Sequence, residues 1–508
     1  MRRNHLVCPS LVVVVSTLLL ATDVLAQSRR DSVRVIDSTA TVADLVARLP
    51  GEAVPLQALL RAAVREGMAG RIATAARRRA DGDLLSEGRV LDPTMQLASG
   101  VASDLFGLNQ RQALSSSAAI SAALPWGADV GVSYVRQDGT GLDPVMQLRP
   151  PTTLSLSVSQ PLLRGLNTRT ANLRASRRDR AAADFVVQRT WQEVTTEVEL
   201  HYWSLAEAQA IEAVYTRSLE LSQRMLHRNV ELAKRGLIPD VDVLTVRSGV
   251  ATRQSALVLA RQARMEQSDS LVFAAYGARA SARLDGGMLP LKAIDTAPLD
   301  AATLAIADPL PTSVAVVGAL AQRTDVLAAR ERREAADVRV SLAANAVRPN
   351  LALEGGWVSV SNLDRLNGMP AASGGISGWR VGLSVSAPLL NRGDRGRALV
   401  ARAEQEIEAL HVLAIENSVR QDVRLTTRAI QMSRERLLIS DDAAQLAARQ
   451  LEAERHRLDL GLGDSFRVLQ TEEYAVNAQL DAVRARYDVL RAQARHRLAA
   501  GTTTSSAP

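Results

Sequence analysis

The sequence predicts a mixed α and β protein built from two internal structural repeats, in which short amphipathic strands feed very long coiled-coil helices. Three observations predict it. The segment LSLSVSQPLLRG at Leu154–Gly165 returns as GLSVSAPLLNRG from Gly382, with Ser-x-Pro-Leu-Leu kept and a basic residue and a glycine following. After each copy almost nothing breaks a helix for about 65 residues, a rod of roughly 100 Å at 1.5 Å per residue. Both rods then meet a glycine turn and a return helix, and an offset of 225 residues lays Gly236 on Gly461, Leu237 on Leu462, Val243 on Val468 and Leu244 on Leu469.

The elements follow in order. Arg2 and Arg3, the apolar run LVVVVSTLLLA and the small residues Val24 and Ala26 predict an export signal over residues 1–26, with the mature chain starting near Gln27. The run is short for a transmembrane anchor, and polar residues follow it. Cys8, the only cysteine, precedes the run, so neither a lipid anchor nor a disulfide is expected in the mature chain. Residues 27–54 read as a polar linker.

The first repeat spans residues 55–284. A helical stretch runs from near Pro55 to before Pro93, and the strand TMQLASGV follows. AAISAALPWGADVGVSYVRQ, Ala118–Gln137, reads as a hairpin turning at PWGAD. In the strand ending at Pro161, Leu154, Leu156 and Val158 alternate with Ser155, Ser157 and Ser159, the period of a strand with one apolar and one wet face. A helix from about Thr168 to Ala275 is broken only by KRGLIPD at Lys234–Asp240. Residues 285–312, with Pro290, Pro298, Pro309 and Pro311, form a linker or small cap.

The second repeat, residues 313–500, restarts the plan: a helix from Ser313 to Val347, the strand NLALEGGWVSV, a glycine-rich loop, and a strand ending at Pro388. A long helix broken at Leu460–Ser465 then returns to Ala500, and residues 501–508 are expected to be a disordered tail. Val423, Ile430, Leu437, Ala444, Leu451 and Leu458 repeat every seven residues, and their counterparts Val198, Leu205, Glu212, Leu219, Leu226 and Ala233 break the apolar pattern only at Glu212. The return helices carry matching rows, Leu244, Ala251, Val258, Met265 and Val272 against Leu469, Val476, Val483, Leu490 and Arg497. A seven-residue period held this long specifies left-handed supercoiling.

Composition bounds the function. Of 508 residues 47% are hydrophobic but only 3% aromatic, which suits narrow helix–helix seams rather than a thick core. The 61 basic and 54 acidic residues leave a net charge of +7, a mixed surface that does not imply nucleic acid. The histidines after His5 (His201, His227, His411, His456 and His496) are scattered without ligand spacing, and the catalytic and phosphate-cradling motifs are missing, so neither an enzyme nor a cofactor is expected. The arginine runs at Arg169–Arg180 and Arg392–Arg402 read as solvated helix faces. After residue 26 no segment approaches 18 uninterrupted apolar residues, so an exported chain of this kind enters a membrane with strands. Its four to six strands of 9 to 11 residues, with Trp126, Tyr134, Trp357 and Trp379 in or next to them, are long enough to cross a bilayer but too few to close a barrel. An open edge in lipid leaves backbone groups unsatisfied, so insertion requires oligomerisation.

The duplicated SQPLL and SAPLL segments, the RPNLAL strand start at Arg348, the glycine-containing turns followed by Val-Leu and the YDVLRA return helix resemble the TolC family of outer-membrane channel proteins over about residues 55 to 500. The resemblance implies a homotrimer in which each copy gives four strands to one shared transmembrane β-barrel in outer-membrane lipid. That barrel is continuous with a long periplasmic α-helical barrel, and a periplasmic adaptor and an inner-membrane transporter dock below. The hairpin at Ala118–Gln137 is additional to that plan. The resemblance puts Gly236, Leu237, Ile238, Gly461, Leu462 and Gly463 at an adaptor-docking tip. It puts Asp242, Arg467 and Gln470 at a periplasmic gate, where relatives commonly carry acidic residues at the position of Arg467. Opposite charges at Asp242 and Arg467 on neighbouring hairpins would hold the tip closed. The expected function is the exit duct of a tripartite efflux or type I secretion system, giving passage to small molecules or proteins. The competing expectation is a trimeric coiled-coil tether between envelope layers that conducts nothing.

Overall fold

The computed structural model of the chain describes residues 42–103, 112–140, 152–286, 290–294, 311–361, 365–366, 369–370 and 376–503. The export signal, most of the linker before residue 54, most of residues 285–312 and the end of the tail lie outside the described residues. A short helix α1, Val42–Ala47, belongs to a separate unit, Met1–Leu49. Everything below concerns the unit from Pro50 onward.

That unit contains a six-stranded antiparallel sheet and two long helical hairpins. Strands β2 (Thr94–Ser103), β3 (Gln112–Ala123), β4 (Asp129–Thr140) and β5 (Thr152–Pro161) come from the first repeat, β7 (Asn350–Ser361) and β8 (Ile376–Ser386) from the second. The sheet order is β8-β7-β5-β4-β3-β2, so the repeats join through β5 and β7 and the additional hairpin β3–β4 lies inside the sheet. The count of four strands implied by the family resemblance is therefore corrected to six.

Helix α2 (Leu56–Glu66) and helix α3 (Met68–Gly88) replace the single helical stretch expected before Pro93. They break at Gly67, where a Cβ would lie 2.3 Å from the Ala63 carbonyl oxygen. The expected helix Ser313–Val347 likewise divides into α7 (Thr312–Gln322) and α8 (Thr324–Ala346). Between them Arg323 is extended and buried, with its guanidinium on Asp325 at 2.6 Å, Asp422 at 3.1 Å and the Ala499 carbonyl at 3.3 Å. Such a pinning point interrupts helix geometry to hold one cation between the start of α8, the carboxylate of Asp422 and the backbone near Ala499.

Helices α4 (Ala171–Lys234) and α9 (Arg392–Asp459) are the predicted rods, 64 and 68 residues long. Near the sheet α3 and α8 pack beside them, and further along α5 (Asp240–Tyr276) and α10 (Ser465–Ala500) take over. The far layer runs α5–α4–α10–α9. A short helix α6 (Ala280–Asp285) precedes strand β6 (Leu291–Ala293), which pairs in parallel with β1 (Glu52–Val54). The ends of both predicted linkers thus meet as a two-stranded buttress on α4. The Ile294 amide donates to the Tyr202 hydroxyl at 3.1 Å, and the Leu291 amide donates to Ser268 of α5 at 2.8 Å. No described helix is long and apolar enough to cross a membrane.

Candidate functional site

The sheet carries one side-chain register through all its strands. Trp379, Trp357, Leu156, Val132, Ile120 and Met95 stand in one row, each opposite the next across β8-β7-β5-β4-β3-β2. The adjacent row on the other face reads Arg380, Gly356, Ser157, Gly131, Ser121 and Thr94. Because successive residues alternate faces, one side of the sheet is apolar and the other wet from edge to edge. On the wet side Ser133 and Ser155 share a hydrogen bond of 2.6 Å, Thr94 and Ser121 one of 2.7 Å, and Ser384 donates to Glu354 at 2.9 Å. On the apolar side exposure rises from 40% at Leu156 and Trp357 to 65% at Met95 and 81% at Trp379. The middle of the row is shielded by neighbours and both edges lack one.

Below the sheet the repeats are laced by polar contacts. Arg164 meets Asp394 of α9 at 3.3 Å, and the Gly165 amide donates to Asn345 at 2.8 Å. Asn167 and Asn391, both in the left-handed region, turn the chain from strand to helix in each repeat. The first arginine run is not simply solvated. Arg178 pairs with Glu331 and Glu334 of α8 at 3.0 Å each, and Arg180 with Asp81 of α3 at 3.0 Å and Asp184 at 2.6 Å.

At the far end both hairpins turn the same way. Gly236 and Gly461 each have φ +72, which a side chain resists. The Leu237 amide donates to Leu232 at 3.0 Å and the Leu462 amide to Arg457 at 2.9 Å, the same six-residue closure in both. Leu237 and Leu462 are exposed, whereas Ile238 and Gly463 are half-buried. Gly463 is required by crowding, since a Cβ would lie 2.9 Å from the Leu458 nitrogen. The Asp464 carboxylate caps α10 by accepting from the Phe466 amide at 3.0 Å. Of the gate residues Asp242 is half-buried and Gln470 exposed. Arg467 does not meet Asp242 within one copy; its guanidinium lies 3.5 Å from Glu454 of its own hairpin.

Sequence periodicity missed the polar seam between the two hairpins. Glu472 of α10 is buried and accepts from Ser218 at 3.3 Å and Ser222 at 3.2 Å on α4, with Arg253 of α5 at 3.6 Å. Asn229 donates to Ser465 at 3.1 Å, and Arg228 pairs with Asp459. Burial holds the Arg455 guanidinium below its ordinary value; Glu472 pulls it back up and Arg224 and Arg217 lower it. Glu212, the break in the first heptad row, is buried with Arg264 at 2.6 Å and Arg261 at 3.3 Å. Its counterpart by the repeat offset is apolar Leu437, so the second half holds no clue to it.

Two heptad rows remain uncovered. Leu244, Ala251, Val258 and Met265 on α5, expected as a seam, are exposed, and the seam instead uses Val246, Val250, Leu257 and Leu271. On α9, Leu425, Met432, Ile439 and Leu446 form a second exposed row at seven-residue spacing. These helices are the two edges of the layer, as β2 and β8 are of the sheet.

The fold is that of outer-membrane channels. The outer membrane protein VceC from Vibrio cholerae superposes with a TM-score of 0.62 at 18% identity, covering 88% of this chain and 96% of that one. The CmeC outer membrane channel of Campylobacter jejuni does so with 0.62 at 14% identity over 89% and 87%. The MtrE outer membrane channel of Neisseria gonorrhoeae, in its open state, gives 0.62 at 16% identity over 88% of each. No curated protein matches the sequence. Residues 315–502 match the model of the outer membrane efflux protein family.

Proposed function

We propose that this protein is the outer-membrane channel of a tripartite efflux or type I secretion system, an exit duct across periplasm and outer membrane. The observation that carries this is a sheet apolar on one face and wet on the other, continuous with helices of about 100 Å and left open at both edges. A sheet with lipid on one side and water on the other needs closure, and unsatisfied edge groups each cost several kcal/mol in lipid. Closure comes from further copies. β2 and β8 at the sheet edges, and the uncovered rows of α5 and α9 at the helix edges, supply head-to-tail surfaces at both levels.

In this reading the assembly is a homotrimer, residues 1–26 are an export signal, and residues 55–284 and 313–500 are its two repeats. The tips around Gly236, Leu237, Ile238, Gly461, Leu462 and Gly463 dock a periplasmic adaptor, which links the duct to an inner-membrane transporter. Asp242, Arg467 and Gln470 line the gate. The exposure of Leu237 and Leu462 at equivalent positions of both tips, 66% and 70%, supports the docking role.

Planar-bilayer recording of the purified protein tests the function. Steady ion conductance is expected; a non-conducting tether would give none, and silence from correctly folded trimers would overturn the channel reading.

A further inference from the structure

We propose that β2 of one copy pairs with β8 of the next, so that the outer-membrane section is a barrel of eighteen strands, three copies of six, about half as wide again as one of twelve. The proposal rests on the trimeric channel reading given above and goes beyond it in the width of the duct.

The additional hairpin decides the count. If β3 and β4 lay outside the barrel, their apolar and wet residues would have no reason to fall in step with the other strands. They do fall in step. Ile120 and Val132 continue the apolar row between Leu156 and Met95, and Ser121 and Gly131 continue the wet row between Ser157 and Thr94. The next apolar row, Leu154, Tyr134, Ala118 and Leu97, keeps the same order. A one-residue slip anywhere would have reversed the faces. The hairpin therefore experiences the same lipid and the same lumen as the strands around it.

The edges then fit each other. β2 is 10 residues long and β8 11, a match that lets one pair along its whole length with the other. Both present exposed apolar residues on one face, Met95 and Leu97 on β2 and Trp379, Val381 and Leu383 on β8. Both are the end strands of an antiparallel sheet, and an even number of strands per copy lets the alternation continue across the joint.

Width follows from strand number. With strands about 4.8 Å apart and tilted by about 40°, eighteen close a barrel about 36 Å across at the backbone, and twelve only about 24 Å. Barrels of sixteen to eighteen strands leave an aqueous channel. The wet face lining this one is mainly serine, glycine and threonine, side chains that narrow it little.

The test uses paired cysteines in a Cys8→Ser background, which otherwise has none. Gln96→Cys in β2 is combined in turn with Gly378→Cys, Arg380→Cys, Gly382→Cys or Ser384→Cys in β8. Adjacent antiparallel strands bring facing Cα atoms to about 4.5 to 5.5 Å, within the span of a disulfide. Oxidation is expected to link copies into covalent dimers and trimers at one of these positions. Ser133→Cys in β4, paired with the same four, is expected to link none. Links from Ser133→Cys, or trimers by mass with no link from Gln96→Cys, overturn the eighteen-stranded barrel and leave the trimer standing. A monomer by mass overturns the trimeric reading beneath it. Width is read separately in a variant lacking residues 112–140, which restores two strands to the first repeat as in the second. Polymers added from the outer side should enter the natural barrel at sizes the shortened one excludes, with a cut-off about a third smaller in the variant. Equal cut-offs in two conducting trimers also overturn the proposal.

Discussion

Ser222 on the first hairpin donates a hydrogen bond of 3.2 Å to Glu472 on the second, in a contact sealed from water. Arg253 approaches the same carboxylate at 3.6 Å. Removing one partner of such a buried cluster leaves the other charge uncompensated. Glu472→Ala is expected to destabilise the helical part by about 3 kcal/mol, and Glu472→Gln by less because an amide still accepts from a serine. Thermal unfolding followed by circular dichroism checks the order, and equal stability of all three proteins would contradict it.

The membrane sheet predicts a contrast between neighbours in sequence. Ile120→Arg puts a cation on the apolar face three residues from the strand end at Ala123 and is expected to cost about 1 to 2 kcal/mol, between the interface and midplane values. Ser121→Arg, one residue on and facing the wet side, is expected to insert normally. The yield of heat-resistant oligomer in membranes measures both.

At the tips, Leu237→Asp with Leu462→Asp is expected to abolish export of cargo while the trimer stays intact by mass. Export at the natural level would show that these leucines are turn residues and nothing more.

The gate prediction is shaped by Glu454. Arg467→Asp is expected to raise single-channel conductance, and Asp242→Arg added to it to bring conductance back. Because Arg467 lies 3.5 Å from Glu454 within one copy, Glu454→Gln is the necessary companion. If Glu454→Gln alone opens the tip as far, the hold is inside each hairpin rather than between copies. A partly exposed pair of either kind is worth about 0.2 to 1 kcal/mol, so the threefold repeat matters.

Acid should weaken the contact between α9 and α10. Burial and then neighbouring Arg497 hold His496 below its ordinary value, and its ring shares a hydrogen bond of 3.2 Å with Thr426. Below about pH 6.5 the unfolded chain takes up a proton that the folded one resists, so stability falls as pH drops through that value. His496→Gln should flatten the loss that sets in below about pH 6.5, measured by denaturant unfolding.

The rods, the turns and the alternation of the strands were legible in the sequence because each rests on a local period or a single glycine. The face of a helix that a period marks was not. Leu244, Ala251, Val258 and Met265 repeat every seven residues as a seam does, yet they lie exposed. A helix that carries two apolar rows gives spacing alone no way to say which belongs inside. The break at Arg323 was hidden because its partners Asp422 and Ala499 are distant in sequence. Glu472 looked like any charged residue on a solvated helix. The Ala118–Gln137 hairpin was visible as a hairpin, but only pairing across the sheet reveals that its rows align with those of β2 and β5.

The joint between β5 and β7 has a consequence in time. β5 ends at Pro161, but the strand that must cover it starts only at Asn350. The chain between them has to be looped out before the two can pair, and closure of so long a loop is slow. Until they meet, a row of unpaired amides and carbonyls stands open beside an apolar face, the template on which aggregation begins. The first hairpin, α4 with α5, lies between them, and its local pairing folds fast and brings the chain back toward its starting point. The long helices thus serve as a scaffold for maturation, shortening the search that β7 must make for its place.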